Sequence, residues 1–229
     1  MLIIQFKTMK SSIKKLAEYP SAWLLLVQML SLVVHPMLEA THSHQAIFSC
    51  FNIAALALAV WVVNRSAMIN WVAWVLAVPA ILMTIAYVMN GNTTYFLWAQ
   101  SLESIMYFYT AIGLMLYMFN DQHITVDELF AAAATFTLLA WGFALAYAVC
   151  QTIYPGSITG TLNPEGARSW VELLFLSFSI LSSTGYGDIM LIHPIAKVIG
   201  TFQMFVGVMY IALIVSRLVT LTTSATHKN

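Results

Sequence analysis

The residues with the clearest chemical use in this sequence form one short run, Ser183-Thr184-Gly185-Tyr186-Gly187-Asp188. A cation that leaves water needs replacement oxygen ligands at once, and a ring of backbone carbonyls can supply them. Successive carbonyls share one direction only if the backbone alternates in hand, and glycine takes the left-handed conformation at little cost. We therefore expect a cation-binding loop in which the Ser183 hydroxyl adds an inner oxygen ring, Tyr186 braces the loop and Asp188 closes the outer mouth.

The composition is that of a membrane protein. Of the 229 residues, 61% are hydrophobic and only 8% are charged, and the mean hydropathy is +0.84. Soluble domains keep roughly a quarter of their residues charged, so this chain is expected to cross a bilayer several times, with membrane lipid around it. The formal net charge of zero argues against a nucleic-acid partner.

Six stretches reach the roughly 20 apolar residues that a spanning helix needs. They lie at 20–38, 46–63, 68–89, 95–119, 128–154 and 194–222. The preceding segment, 1–19, interleaves lysines with apolar residues, which predicts a basic amphipathic helix in the lipid interface, and 223–229 is expected to form a short cytoplasmic tail. With both termini in the cytoplasm, seven positive residues lie inside and only Arg168 and Lys197 lie outside, in agreement with the positive-inside rule.

One apolar stretch, between the fifth and sixth predicted spans, is too short to cross a membrane. It starts at Ser169 and ends at Ser182, and Ser169 with Glu172 forms the capping-box pattern of a helix start. Such a helix reaches only about 20 Å, whereas the hydrocarbon core is about 30 Å thick. The sequence therefore predicts an all-α membrane protein of six transmembrane helices and one re-entrant helix, which leads directly into the cation-binding loop.

In this context the run from Ser182 to Asp188 resembles the selectivity filter of the tetrameric potassium-channel family. The similarity covers Leu129 to Thr222, close to the whole predicted pore domain at 128–222, and includes an outer helix, a turret, a pore helix, the filter and an inner helix. Gly207 lies twenty residues after Gly187, where the family has its inner-helix hinge. The resemblance implies a homotetramer around one pore, with no cofactor beyond the permeant potassium ion. It also implies that the ion binds at Ser183, Thr184, Gly185 and Tyr186.

The run departs from the family pattern at several positions. The family usually has threonine in place of Ser183 and an aliphatic residue in place of Thr184. Phe175 and Leu176 stand where many members have an aromatic pair that braces the filter, and Ser179 stands where some have a carboxylate. These departures leave a non-selective monovalent cation channel of the same fold open as an alternative.

The inner helix is expected to turn one face toward the pore axis. Four aliphatic residues recur on it every three or four positions, which corresponds to one helical face: Val208, Ile211, Val215 and Val219. Side chains that converge from four subunits can form a hydrophobic gate that closes by dewetting. An inner helix is apolar all round, however, so the spacing alone leaves the choice of face open.

The first four spans, 20–119, are predicted to form a four-helix transmembrane domain that serves as a lipid-facing collar. A voltage sensor would carry arginines at every third position of its fourth span, but the span 95–119 contains no lysine or arginine, and its only charge is Glu103. We therefore expect weak voltage dependence or none. Glu103 is either a functional intramembrane group or a glutamate that is hydrogen-bonded to Gln100, Ser104 or a tyrosine.

Other classes of protein fit less well. Potassium transporters with similar pore loops carry four of them in one long chain, whereas this chain has one. A non-conducting structural or regulatory membrane protein stays possible on the sequence alone. An enzyme is the least expected class, because the sequence shows no nucleophile–base pair, phosphate loop or metal-ligand spacing. The small size, the lysine-rich start and the lack of soluble domains favour a prokaryotic inner membrane.

Overall fold

The chain folds mainly into helices in a computed structural model that describes residues 20–38, 54, 57–61, 70–119, 126–161 and 163–226. In chain order the helices are α1 (Pro20–Leu38), α2 (Asn70–Asn90), α3 (Thr93–Phe119), α4 (Val126–Ile153), α5 (Trp170–Leu181) and α6 (Pro194–Thr226). Residues 57–61 are helical as well. Two short strands, β1 (Ile158–Gly160) and β2 (Ile189–Leu191), flank α5 and the loop that follows it.

Four helices in the described ranges, α2, α3, α4 and α6, are long and apolar enough to cross a membrane. They correspond to the third to sixth predicted spans. The first predicted span coincides with α1, of which 21–34 forms a shorter apolar helix. Most of the second span and the whole basic segment 1–19 lie outside the described residues, so the six-span architecture stays a prediction.

The turn between α2 and α3 follows from two residue types. Gly91 ends α2 with a φ of 64°, a left-handed conformation that glycine adopts without steric cost. Asn92 then caps α3, because its side-chain oxygen accepts a hydrogen bond from the Thr94 amide at 2.9 Å. This short turn makes α2 and α3 neighbours along their length.

Helix α4 lies at the centre of the fold, in contact with α1, α3, α5 and α6. In its most apolar stretch 67% of the residues are buried, against 22% in α2 and in α6. Small residues let neighbouring helices approach closely in a membrane, and α4 buries five alanines: Ala131, Ala134, Ala140, Ala144 and Ala148. The large side chains of Trp141 and Tyr147 fill the remaining space and are almost fully buried.

Helix α1 docks on α4 through polar contacts as well as apolar ones. The Ser21 hydroxyl donates to Oδ2 of Asp127 at 3.3 Å, and the Thr137 hydroxyl contacts Oε1 of the fully buried Gln28 at 2.5 Å. The two contacts lie about ten residues apart on α4, or roughly 15 Å along its axis. They therefore fix both the position and the rotation of α1.

The strands are a departure from the all-α expectation. β1 and β2 pair antiparallel, with Ile158 opposite Leu191, Thr159 opposite Met190 and Gly160 opposite Ile189. The pairing joins the segment after α4 to the segment immediately after the predicted cation-binding loop. The sheet therefore belongs to the surroundings of the candidate site.

Candidate ion-conduction site

Helix α5 positions the candidate site and begins as the sequence predicted. Ser169 is its N-cap: the Ser169 side chain accepts from the Glu172 amide at 3.3 Å, and the Glu172 carboxylate accepts from the Ser169 amide at 2.8 Å. The helix has 12 residues, which corresponds to about 18 Å, so it does not span a hydrocarbon core of about 30 Å. Its C-terminal end carries partial negative charge and leads into the Gly-Tyr-Gly loop, defined here as residues 182–188.

Arg168 holds the start of α5 to the segment before it. Its guanidinium forms an ion pair with Glu172 at 3.0 Å, donates to the Gly166 carbonyl at 2.7 Å, and donates to the Asn163 carbonyl. Gly160 lies against it, because a Cβ there would be 2.2 Å from an Arg168 nitrogen. A buried cation with several charge-assisted hydrogen bonds is a strong anchor, which fixes the segment from β1 to α5.

A buried polar junction ties α5 to both α4 and α6, and sequence reasoning missed it. The Tyr147 hydroxyl donates to Oε1 of Gln203 at 2.7 Å. Nε2 of Gln203 donates to the hydroxyl and the carbonyl of Ser177 at 2.6 and 2.8 Å, and the Ser177 hydroxyl donates to the Ala140 carbonyl at 2.6 Å. The signal that was available is Gln203 itself, a polar amide inside a strongly apolar helix, where it needs partners.

The Gly-Tyr-Gly loop has a backbone of alternating hand. Ser183, Gly185 and Gly187 have φ values of 60°, 61° and 84°, whereas Thr184 and Tyr186 do not have positive φ. The left-handed conformation predicted for the two glycines is therefore confirmed. Ser183 is the only non-glycine residue with positive φ in the described chain, and it extends the alternation by one step.

The hydrogen bonds of this loop are one-sided. Five consecutive amides donate to the end of α5: Ser182 to the Phe178 carbonyl (2.9 Å), Ser183 to the Ile180 carbonyl (3.0 Å), Thr184 and Gly185 to the Ser179 carbonyl (2.9 and 3.2 Å), and Tyr186 to the Ser179 hydroxyl (2.9 Å). By contrast, no described residue donates a hydrogen bond to any carbonyl of 181–187. Since backbone carbonyls require partners, this row of oxygens, most of it exposed, is available to bind a cation.

Ser179 is the main support behind the loop. Its carbonyl and its hydroxyl together accept three of the five loop amides. The sequence marked Ser179 only as a departure from the family pattern, so its supporting role was not predicted. Thr184 stands where the potassium-channel family usually has an aliphatic residue. Its hydroxyl is hydrogen-bonded to the Ser182 hydroxyl at 2.7 Å. The Tyr186 ring contacts Phe175 edge-on, with 5.5 Å between ring centroids.

The outer end of the loop is held by the β1–β2 pairing. The Thr161 amide donates to the Asp188 carbonyl at 3.0 Å, and the Ser157 carbonyl accepts from the Ile192 and His193 amides at 2.8 and 3.2 Å. His193 also stacks on Tyr154 with 4.4 Å between ring centroids. The loop is therefore fixed at its inner end by α5 and at its outer end by the sheet. Asp188 lies at the end of the loop beside the sheet, and its role at an outer mouth stays a prediction.

Gly207 lies where α6 crosses the end of α5. A Cβ at this position would be 2.1 Å from the Leu181 carbonyl oxygen and 2.9 Å from its carbon. Helix α6 continues through Gly207 as an unbroken helix. The hinge role stays a prediction, and the close backbone approach is a separate reason for glycine at this position.

The residues predicted to line the pore lie on α6 and are between 40% and 58% exposed: Val208, Ile211, Val215 and Val219. The face that carries Gln203 and Gly207 is buried instead. Because Phe202 and Phe205 are also exposed, exposure is compatible with the predicted pore face without selecting it. The gate therefore stays a prediction.

An ion pair joins α6 to α4 near the end of α6. Arg217 contacts Oε2 of Glu128 at 3.0 Å, and both side chains are largely buried. The Arg217 guanidinium also lies 5.3 Å from the centroid of the Phe119 ring, within the range of a cation–π interaction. One cation thus connects the ends of α3 and α6 and the start of α4.

The only charged residue of α3, Glu103, is 2% exposed. Its partner differs from the three residues that the sequence suggested, because the Thr84 hydroxyl on α2 contacts Oε1 of Glu103 at 3.1 Å. Ser104 instead donates to the Gly142 carbonyl on α4 at 2.8 Å. Neighbouring residues of α3 therefore bond to α2 and α4, which favours a structural role for the three-helix contact.

Comparison with known families identifies the region that contains this site. Residues 124–224 match the model of a family described as ion channel, a range that includes α4, α5, the Gly-Tyr-Gly loop and nearly all of α6. Comparisons with curated proteins and with solved structures gave no match. The matched family consists of transport proteins and not enzymes, in agreement with the sequence. Together with the four long apolar helices, the match supports a multi-pass membrane protein with an ion channel domain.

Proposed function

We propose that this chain is one subunit of a homotetrameric potassium channel, which conducts K⁺ passively through a central pore. The observation that carries this proposal is the one-sided bonding of the Gly-Tyr-Gly loop: its amides are held by α5, and its carbonyls have no donor among the described residues. Carbonyl rings of this kind replace the hydration shell of a permeating cation. Ser183, Thr184, Gly185 and Tyr186 supply the ion-binding oxygens.

Four copies around one pore are what the resemblance to the tetrameric potassium-channel family implies, and the geometry of coordination supports an assembly of several copies. One loop supplies oxygens on one side of an ion, so several copies must surround it to replace the water on all sides. Tyr186 is 70% exposed in the single chain, and a neighbouring subunit would cover it. The exposed aliphatic face of α6, including Val208 and Val215, would then line the pore below the filter.

The channel has little or no voltage dependence in this proposal. Voltage sensing requires several charges that move through the membrane field, but α3 carries only Glu103. Glu103 is also bonded to Thr84 on α2, so α3 would not move past its neighbour without breaking that contact. The first four predicted spans act as a collar around the pore.

The proposed orientation places both termini in the cytoplasm of a cell membrane, by the positive-inside rule. The start of α4 and the end of α6 then face the cytoplasm together, where Arg217 pairs with Glu128. The β1–β2 sheet and Arg168 lie on the outer side.

The experiment is ion flux through the purified protein in liposomes, with K⁺ and Na⁺ gradients compared in the same preparation. K⁺ flux that barium blocks, with little Na⁺ flux, is the expected result. Empty liposomes and liposomes with a Gly185→Asp variant serve as controls, because a charged side chain in the loop should abolish conduction. Absence of K⁺ flux from protein shown to be tetrameric would contradict the proposal and favour a non-conducting membrane protein.

A non-selective cation channel is the second candidate, and the Thr184 hydroxyl is the observation that favours it. This hydroxyl is hydrogen-bonded to the Ser182 hydroxyl at 2.7 Å. The loop therefore carries a polar pair that includes Thr184, whereas the potassium-channel family usually has an aliphatic side chain at that position. Comparable K⁺ and Na⁺ flux in the same experiment would select this candidate. A Thr184→Val variant that restores discrimination would then assign the effect to this hydroxyl.

A further inference from the structure

The contact between Gly207 and Leu181 joins α6 to the end of α5 through backbone atoms alone. The atoms that a Cβ at Gly207 would meet are the Leu181 oxygen at 2.1 Å, its carbonyl carbon at 2.9 Å and its Cα at 3.1 Å. A clash with a flexible side chain is relieved by rotation, but a clash with backbone requires one helix to move. Any side chain at position 207 would therefore displace α6 from α5.

Leu181 is also the last residue of α5 before the Gly-Tyr-Gly loop. Its carbonyl belongs to the last turn, where the helix itself provides no donor, and no described residue donates an N–H or O–H to it. Because a Cβ on Gly207 would lie 2.1 Å from this oxygen, the Cα–H that takes the place of the side chain points at the oxygen, which is the arrangement of a weak Cα–H···O contact. The five loop amides donate hydrogen bonds to the same end of α5, so a displacement of Leu181 would also displace the loop.

The neighbouring turns of α6 are anchored on both sides of Gly207. One turn earlier, Gln203 donates to Ser177 on α5 at 2.6 Å. Nearly one turn later, the Tyr210 hydroxyl donates to the Ala132 carbonyl on α4 at 2.5 Å. A helix that is fixed at 203 and at 210 has little freedom to bend between them. The packing thus accounts for Gly207 without a bend.

We propose that Gly207 is a positioning residue for the ion-binding loop, required because its missing side chain lets α6 support the Leu181 carbonyl. The inference rests on the proposed channel function where it predicts an effect on ion flux. Its prediction for the structure of the loop, measured by hydrogen exchange, does not depend on that function. It assigns the glycine to contact between the inner helix and the base of the filter, whereas a hinge would use its conformational freedom. A movement of α6 would reach the loop through this contact.

The test compares three variants of the full chain. Gly207→Ala introduces the backbone clash. Gly200→Ala is the matched control, because it places the same methyl on the same helix but opposite Cδ1 of Leu191, the end of a side chain that can move. The double variant Gly207→Ala with Ala212→Gly restores a flexible glycine to exposed α6 without restoring the space at Leu181.

Two readouts are measured: hydrogen exchange of the amides of 182–186 in nanodiscs, and the ratio of K⁺ to Na⁺ flux in liposomes. We expect Gly207→Ala to accelerate the exchange and to lower the flux ratio, each by about tenfold, as an overpacked contact implies. The double variant should behave like the single one, and Gly200→Ala like the unchanged protein. Unchanged exchange in Gly207→Ala, or recovery in the double variant, would overturn the proposal.

Two further measurements keep the outcome decisive. If Gly207→Ala does not assemble, a covalently linked pair of one altered and one unaltered chain replaces it, and the same difference from a linked Gly200→Ala pair is expected. If the unchanged protein conducts no ions, the channel proposal fails, and hydrogen exchange alone then decides the role of Gly207. Equal exchange in the Gly207→Ala and Gly200→Ala proteins refutes that role.

Discussion

Replacement of Ser179 by alanine should weaken the ion-binding loop without removing the helix that supports it. The Ser179 hydroxyl accepts the Tyr186 amide at 2.9 Å, and alanine provides no acceptor in its place. The Ser179 carbonyl still accepts the amides of Thr184 and Gly185, so the inner part of the loop stays anchored. The variant therefore tests the one bond that holds the Tyr186 end of the loop to α5.

The expected magnitude follows from the loss of one hydrogen bond. The group that loses its acceptor is the Tyr186 amide, and its bond to Ser179 is only part-buried, so the net worth of an ordinary hydrogen bond applies, about 0.5–1.5 kcal/mol. At about 1.4 kcal/mol per factor of ten, the conducting arrangement loses about twofold to about twelvefold against alternative arrangements. We expect the ratio of K⁺ to Na⁺ flux in liposomes to fall by at least the smaller of these factors.

Two control variants separate this bond from general damage to α5. Ser179→Thr keeps a hydroxyl at the same position and should retain most of the flux ratio. Ser177→Ala removes another buried hydroxyl from the same helix, but Ser177 bonds to Gln203 and to Ala140 and not to the loop. It should lower the unfolding temperature more than the flux ratio. A tetrameric Ser179→Ala protein with unchanged K⁺ and Na⁺ flux would refute the reasoning.

Three further variants test other parts of the structure. Arg217→Gln leaves Glu128 buried without its cation, so the unfolding temperature should fall, with a cost up to about 3 kcal/mol; a double variant that also carries Glu128→Leu should recover part of it, and no recovery would argue against the pair. In the single chain Gly185→Ala meets no atom within 4 Å but has a φ of 61°, so the left-handed penalty of about 1–2 kcal/mol is expected, measured as lost K⁺ flux with an unfolding temperature that falls by a few degrees. Glu103→Gln keeps a polar partner for Thr84 and should change neither unfolding temperature nor voltage dependence, whereas a shifted conductance–voltage curve would assign Glu103 a role in sensing.

Sequence reasoning succeeded where the signal is local. The capping box at Ser169 and Glu172 needs only two residues three positions apart, and the structure forms both of its bonds. Long apolar runs delimit α2, α3, α4 and α6 to within a few residues, because length and hydropathy together decide whether a helix can span. The left-handed loop glycines follow from residue type alone.

The sequence did not predict how the elements pack, because the relevant partners lie far apart along the chain. Tyr147 and Gln203 are separated by 56 positions, and Thr84 and Glu103 belong to different helices. Helix α4 is apolar all round, so no periodicity marks which face meets which neighbour. The β1–β2 pair escaped prediction because each strand has only three residues, too few for an alternating pattern to stand out.

Two glycines of this site illustrate the limit of such reasoning. Gly185 is required by its own backbone: its φ is positive and the space around it is open, so residue type in a loop motif is enough to predict it. Gly207 has no positive φ. Glycine is required there because a Cβ would collide with the backbone of Leu181. That requirement belongs to a partner on another helix. A glycine in an inner helix therefore indicates a hinge only after close packing against the pore helix has been excluded by measurement.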